Sequence, residues 1–172
     1  MSEQSGEGWD VPSVVRDQVY FHWFHVVPRS ALVLCLTSMR PLWFVGHFHK
    51  KRMLRCRGQD CHWCRLSVGK QVRYVFGGVD LQTRREGVIE VSESVAQLVR
   101  EWAVPNGGAR GLIVEFEKST GSKHSRMDVR LIREHAPGWA LACQEPDLGM
   151  ILRRTWEKIE SSLGEEMLAP VG

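Results

Sequence analysis

Counted from Trp43, the apolar runs of this chain come in the order strand, strand, strand, helix, strand, strand. That order predicts a mainly β fold, a five-stranded barrel of the oligonucleotide-binding (OB) type with a helix between strands 3 and 4. Two further observations refine it. Cys56, Cys61 and Cys64, spaced C-x4-C-x2-C, fall between the first and second of these strands, with His47 and His49 just ahead. An inserted zinc loop over about residues 46–70 is therefore expected. After Pro137 the pattern changes to helical spacing, which predicts a C-terminal helix.

The chain has 172 residues, 43% of them hydrophobic and 25% charged, enough for one domain with a core. Three parts are expected: a flexible N-terminus at 1–13, a domain at 14–136 carrying the zinc loop, and a helical extension at 137–172. Residues 1–13 are rich in Gly, Ser and Glu, unlike the basic-then-apolar start of a signal peptide. No apolar run approaches the ~20 residues of a membrane span. Cys35 and Cys143 stand alone in apolar surroundings while the other three cysteines cluster. This usage fits a reducing compartment and a metal rather than disulfides, so a cytoplasmic protein is expected.

The elements follow in order. Val14–Val27 is apolar and aromatic and reads as a strand stopped by Pro28; its His22 and His25 read as structural. Ala31–Leu36 is a short buried strand that would extend or cover the barrel. Pro41–Phe48 is the first barrel strand and leads into the cysteine loop. Gln71–Leu81 is the second, and its Gly77-Gly78 pair predicts a bulge, a bend or a close backbone approach. A turn over Gln82–Glu86 gives the return strand Gly87–Val91. Ser94 and Gln97 read as a capping box, opening a helix whose apolar face is Val95, Leu98, Val99 and Trp102. Pro105-Asn106-Gly107-Gly108 ends it. Gly111–Glu117 and Met127–Ile132 are the last two strands, joined by the basic loop Lys118–Arg126. The final helix starts near Asp147 with Leu152, Trp156, Ile159 and Leu163 on one face, to pack on the barrel or dock a partner.

Zinc takes four N/S ligands, and a C-x2-C pair joined by a tight turn is a common half-site. Here Cys61-His62-Trp63-Cys64 is that half and Cys56 the third ligand; spacing leaves His47 and His49 open as the fourth, with His62 a competitor. The expected metal is one structural Zn2+ per chain. A hydrolytic site needs an open coordination position and a general base, and neither H-E-x-x-H nor an H-x-E ahead of the cysteines is present. The chain is therefore not expected to be an enzyme.

Charge is concentrated around this loop. Residues 46–85 hold ten Lys or Arg against Asp60 and Asp80, hence +8, while the whole chain carries +3 and the remainder −5. Such concentration is the footprint of a polyanionic partner. Interleaved aromatics suit base stacking in a positive groove, which holds single strands without sequence readout. The candidate contacts are Trp43, Phe48, Lys50, Lys51, Arg52, Arg73, Tyr74, Phe76, Arg84 and Arg85, with Lys118, Lys123 and Arg126 from the second loop.

The run Gly46-His47, Arg55-Cys56, Cys61 and Cys64, followed by an arginine-containing strand with Tyr74, resembles the zinc-containing single-stranded-DNA-binding proteins of phages and mobile elements, gene-32-like in design. The resemblance covers about residues 40–133. It implies a zinc loop inserted in an OB fold, His47 rather than His49 as the fourth ligand, and sequence-tolerant binding of single-stranded DNA in replication, recombination or transposition. It also implies partner proteins of those processes, here reached through the C-terminal helix. The family's acidic tail is matched at the chain's end by only Glu165 and Glu166. The other reading of the same residues is a zinc-stabilised RNA-binding or protein-adaptor module.

Overall fold

The computed structural model describes residues 21–49, 52–119 and 126–164. The expectations for residues 1–20, for Lys50, Lys51 and Lys123, and for the Glu165–Gly172 tail lie outside the described residues. The fold is mainly sheet. Its strands are β1 (His22–Phe24), β2 (Ala31–Leu36), β3 (Leu42–His49), β4 (Arg52–Arg55), β5 (Lys70–Asp80), β6 (Glu86–Ser92), β7 (Ile113–Lys118) and β8 (Met127–Ile132). Among the described residues four α-helices join them: α1 (His62–Arg65), α2 (Glu93–Ala103), α3 (Gly138–Leu141) and α4 (Leu148–Ser162). None is long and apolar enough to cross a membrane.

The sheet is open and mixed, with the path β1-β6-β5-β2-β7-β8 and β3-β4 branching from β5. This corrects the closed five-stranded barrel. The reason lies in β2. Its Leu34, Cys35 and Leu36 are at most 1% exposed, and a strand so fully buried takes partners on both edges. It pairs β5 through Leu34–Leu36 and β7 through Ala31–Cys35. The β7–β8 hairpin is thereby built onto β2 and, among the described residues, has no ladder to β3, whose pairing would close a barrel. Long β5 carries two strands in succession along one edge, β3 opposite residues 70–75 and β2 opposite residues 78–80. Among the described strands β1 pairs in parallel, with β6, and a single parallel bridge joins Pro28 to Lys118 at the end of β7.

Successive β5 side chains point to opposite faces, and each face is covered. Tyr74 and Phe76 join Ile89, Val91, Val114 and Phe116 under Val95, Ala96 and Val99 of α2. Val75 joins Phe44 and Val88 under Leu148, Ile151 and Leu152 of α4. Burying each large apolar side chain contributes about 1.5–3 kcal/mol. The α2 face differs from the expected one: Leu98 is 40% exposed, and Ala96 takes its place. The helix also starts earlier, with Ser92 at the N-cap and no side-chain cap bond, so there is no capping box at Ser94. At α4 the reading holds, since the Asp147 carboxylate accepts from the Met150 N–H at 2.9 Å. The apolar face of α4 is seated on the sheet and the β4 region, which is the packing alternative for this helix. Gly77-Gly78 forms no bulge, because the β5–β6 register runs unbroken through it. The close approach is real: a Cβ at Gly77 would stand 2.3 Å from the Pro146 ring.

Candidate metal centre

The centre is built from a hairpin and a knuckle. In the hairpin β3–β4, His47 faces Leu54 and Gly46 faces Arg55. A Cβ at Gly46 would lie 2.9 Å from the Leu54 carbonyl oxygen, so only glycine allows the strands to approach this closely. The Cys56 N–H then donates to the Val45 carbonyl at 2.8 Å, which ties the first cysteine to the strand bearing His47. The chain turns through Gly58, at φ +77°, into Cys61 and the one-turn helix α1 that carries Cys64.

The end of α1 positions the histidine. Val68 N–H donates to the Trp63 carbonyl and Ser67 N–H to the Cys64 carbonyl, both at 3.0 Å, while Ser67 takes φ +56°. This is a Schellman closure with Ser in the left-handed position usually held by Gly. Its expected apolar contact is present, since Val68 packs in the cluster that holds Trp63. The closure aims the Val68 carbonyl at His47 Nδ1, 2.8 Å away. A carbonyl only accepts, so Nδ1 carries the proton and Nε2 keeps its lone pair for a metal.

Nε2 lies 3.4 Å from Cys61 Sγ and 3.5 Å from Cys64 Sγ, and Cys56 Sγ is 3.6 Å from Cys64 Sγ. All four ligand atoms of His47, Cys56, Cys61 and Cys64 fall within 4.8 Å of one another. These separations suit a cation held between them: bonds of ~2.0–2.3 Å from a common centre put tetrahedral N and S ligands about 3.5–4 Å apart. The cluster thus fits one four-coordinate metal, and its Cys3His donor set is one that zinc favours. No ligand position is left for water, so the metal's role would be structural. His47 is fully buried. His49 instead stacks on Trp63 with ring centroids 4.4 Å apart, and His62 packs edge-on to the same indole. Among the described residues, His22 and His25 join no metal cluster.

The groups of the cluster shift one another's ionisation, for Cys56 and Cys61 in the direction that a cation among them would favour. Burial raises the Cys61 thiol, but backbone N–H groups of Arg57, Cys64 and Trp63 overcome this and bring it down to about 6. Burial also opposes ionisation of Cys56, and the Gly58 N–H together with His47 draws it below the usual thiol range. Cys64 is pushed up, first by desolvation and then by Cys56 and Cys61. Burial depresses the His47 ring, but Cys56, the Val68 carbonyl and negative charge on Cys61 raise it on balance. Three thiolates side by side repel, and a divalent cation removes that conflict.

A proton count follows from these directions. At about pH 7.5, zinc added to the metal-free protein must expel the Cys64 proton and whatever protons Cys56 and His47 Nε2 still hold, whereas Cys61 is already ionised. We expect on the order of one to two protons per zinc, measured by pH-stat titration. The release should also fall between about pH 5 and pH 7, as Cys61 ionises beforehand, and a release constant over that range would contradict the low Cys61 value.

The knuckle is braced by α4. Glu160 accepts from Arg55 at 3.2 Å and from Arg57 at 2.5 Å, the Arg55 guanidinium lies 4.9 Å from the Trp156 ring centroid, and Ile159 and Leu163 pack against Leu54, Cys61 and Trp63. Neither Glu160 nor the Val68 carbonyl was anticipated. A backbone acceptor leaves no mark in a sequence, and a glutamate 105 residues from its arginine gives no local signal.

The predicted nucleic-acid contacts separate in space. Phe48, Arg52, Arg73 and Lys118 line one groove of about 740 Å3, together with Trp23 and Trp156. Phe48 is 55% exposed there, and Arg73 is held by Glu90 at 2.7 Å. Trp43 and Tyr74 are cross-strand neighbours on the α2 side. Phe76 corrects the expectation: at 2% exposure it is core. Arg84 lies over Trp139 at 4.9 Å, and Arg85 and Arg126 are exposed at the surface. The local +8 is also reduced by folding, since Glu160 and Glu90, both outside residues 46–85, pair with Arg55, Arg57 and Arg73. Likeness to the single-stranded-DNA-binding proteins rests on the cysteine and histidine spacing, because the chain matches no family model, no curated protein and no solved structure.

Proposed function

We propose that this chain binds single-stranded DNA with little sequence preference, in the groove beside the metal hairpin, and that it is a binding protein rather than an enzyme. The observation that carries the reading is the convergence of Phe48, Arg52, Arg73 and Lys118 on one groove with Trp23 and Trp156. Cationic side chains attract the phosphates, and exposed rings accept bases by stacking. Arg52 and Lys118 supply most of the attraction, because Arg73 shares its charge with Glu90. Among the phenylalanine and tryptophan rings of the groove, Phe48 is the exposed one. Phe48 and Arg52 flank the tip of the β3–β4 hairpin, whose base holds His47 and leads to Cys56, so a zinc at the cluster would stiffen one wall of the groove without taking part in chemistry. Replication, recombination or transposition is the setting this activity suits.

Titrating the protein with poly-dT, poly-rU and duplex DNA at rising salt tests the reading. Poly-dT is expected to bind most tightly, with affinity falling steeply as salt rises. Arg52→Glu is expected to weaken binding and flatten the salt slope by about 0.7 for each phosphate that the variant no longer neutralises. Tighter binding of poly-rU would favour the RNA-binding alternative. Absence of binding to any of the three at low salt would favour the adaptor module.

A further inference from the structure

A second cleft, of about 710 Å3, opens between α2 and the turn at residues 39–41, with Tyr74 in its wall. Its rim is built rather than loose. The Met39 N–H donates to Glu145 Oε1 at 2.6 Å, and the Met39 carbonyl accepts from Ala109 N–H at 2.9 Å. Gly108 lets the Met39 side chain lie against the backbone, where a Cβ would meet Met39 Sδ at 2.1 Å. Behind the rim, Arg110 clamps the carbonyls of Thr37, Leu141 and Cys143 at 2.7, 3.0 and 2.7 Å.

The cleft presents three kinds of group. Arg40 and Arg100 are both exposed at its edge, and among the described residues neither guanidinium has an ion-pair partner. Tyr74 offers a half-buried ring, and its cross-strand neighbour Trp43 stands beside it, 61% exposed. Glu93 and Gln97, on adjacent turns of α2, offer hydrogen-bonding groups. A bare anion would use the arginines and leave the volume empty, since about 300–1,000 Å3 is the size of a small-molecule site. An apolar ligand would leave the guanidiniums without a role.

We propose that this cleft binds a nucleotide. Its phosphate sits between Arg40 and Arg100, its base lies against Tyr74 on the side of Trp43, and Glu93 and Gln97 bond to polar groups of the sugar or base. The same chemistry is offered by a free mononucleotide and by the 5′-phosphorylated end of a strand. The proposal does not depend on the groove at Phe48, whose lining shares no ring or arginine with this cleft.

Calorimetry on the full chain tests it with adenosine and thymidine 5′-monophosphates, inorganic phosphate, and a short oligothymidylate with and without a 5′-phosphate. Quenching of tryptophan fluorescence is followed in parallel and compared with Trp43→Phe. Binding of the monophosphates identifies a free nucleotide as the ligand; preference for the phosphorylated oligomer alone identifies a strand end. In either case Arg40→Gln and Arg100→Gln each weaken binding roughly tenfold, the worth of one charge-assisted hydrogen bond. The proposal is overturned if neither ligand binds, if inorganic phosphate binds as well as the nucleotides, or if both arginine variants bind like the parent.

Discussion

Stripping the metal from His47, Cys56, Cys61 and Cys64 is expected to lower the melting temperature by about 10 °C or more, from a loss of several kcal/mol at roughly 2–4 °C per kcal/mol for a chain of this size. The size of the effect follows from what the four ligands hold. Cys61 and Trp63 are buried in the cluster that receives Ile159 and Leu163 from α4, so a loosened knuckle also unseats the end of that helix. Cys61→Ser is expected to lose the metal and to show the same lowered transition. Chelator added to that variant should then change nothing further, because both treatments remove one and the same interaction. His47→Ala should lose metal and His49→Ala should keep it, since the His49 ring lies on Trp63 rather than at the thiols. Metal analysis of the parent protein returning no zinc would sink this account, as would an unchanged melting curve after chelation.

The second large effect separates two phenylalanines that look alike in the sequence. Phe76→Ala is expected to destabilise the fold by about 3–5 kcal/mol, the range for an aromatic removed from a packed core, because Phe76 is 2% exposed between β5 and α2. Phe48→Ala should leave stability within about 0.5 kcal/mol of the parent. It should instead weaken single-strand binding by about 1–3 kcal/mol with little change in salt slope. Urea unfolding and poly-dT titration of both variants measure these quantities side by side. A Phe48 variant with normal affinity would remove stacking from the groove and leave charge alone to hold the strand.

What could be read beforehand was local. C-x4-C-x2-C and a nearby histidine report on residues a few positions apart, and the structure assembles that cluster. Resemblance, not spacing, distinguished His47 from His49; in space the Val68 carbonyl does so. Strands β2, β3, β5, β6, β7 and β8 and both long helices were visible as apolar runs with turn residues between them. The short β4 was hidden because Arg52 and Arg55 flank its two apolar residues. Pairing was not legible. The apolar run Ala31–Leu36 gave notice of burial on both faces, yet only the ladders show that it separates β5 from β7. Phe76 was misjudged for a related reason: alternation put it on one face with Tyr74, but not under α2. The concentrated positive charge was overestimated because Glu90 and Glu160 return to it only through the fold.

The spacing of the brace on the metal knuckle sets an order of events during synthesis. His47 and Cys64 are 17 residues apart, while Arg55 and the Glu160 that caps it are 105 apart. Closing the short loop needs only a hairpin and one helical turn, events of microseconds, against emergence at about 5–20 residues per second. The knuckle can therefore load its metal while α4 is still unmade. In that interval Leu54 and Trp63 lack the cover that Ile159 and Leu163 later provide. A nascent chain that has bound a metal at this stage would carry an uncovered apolar surface until α4 arrives to close over it.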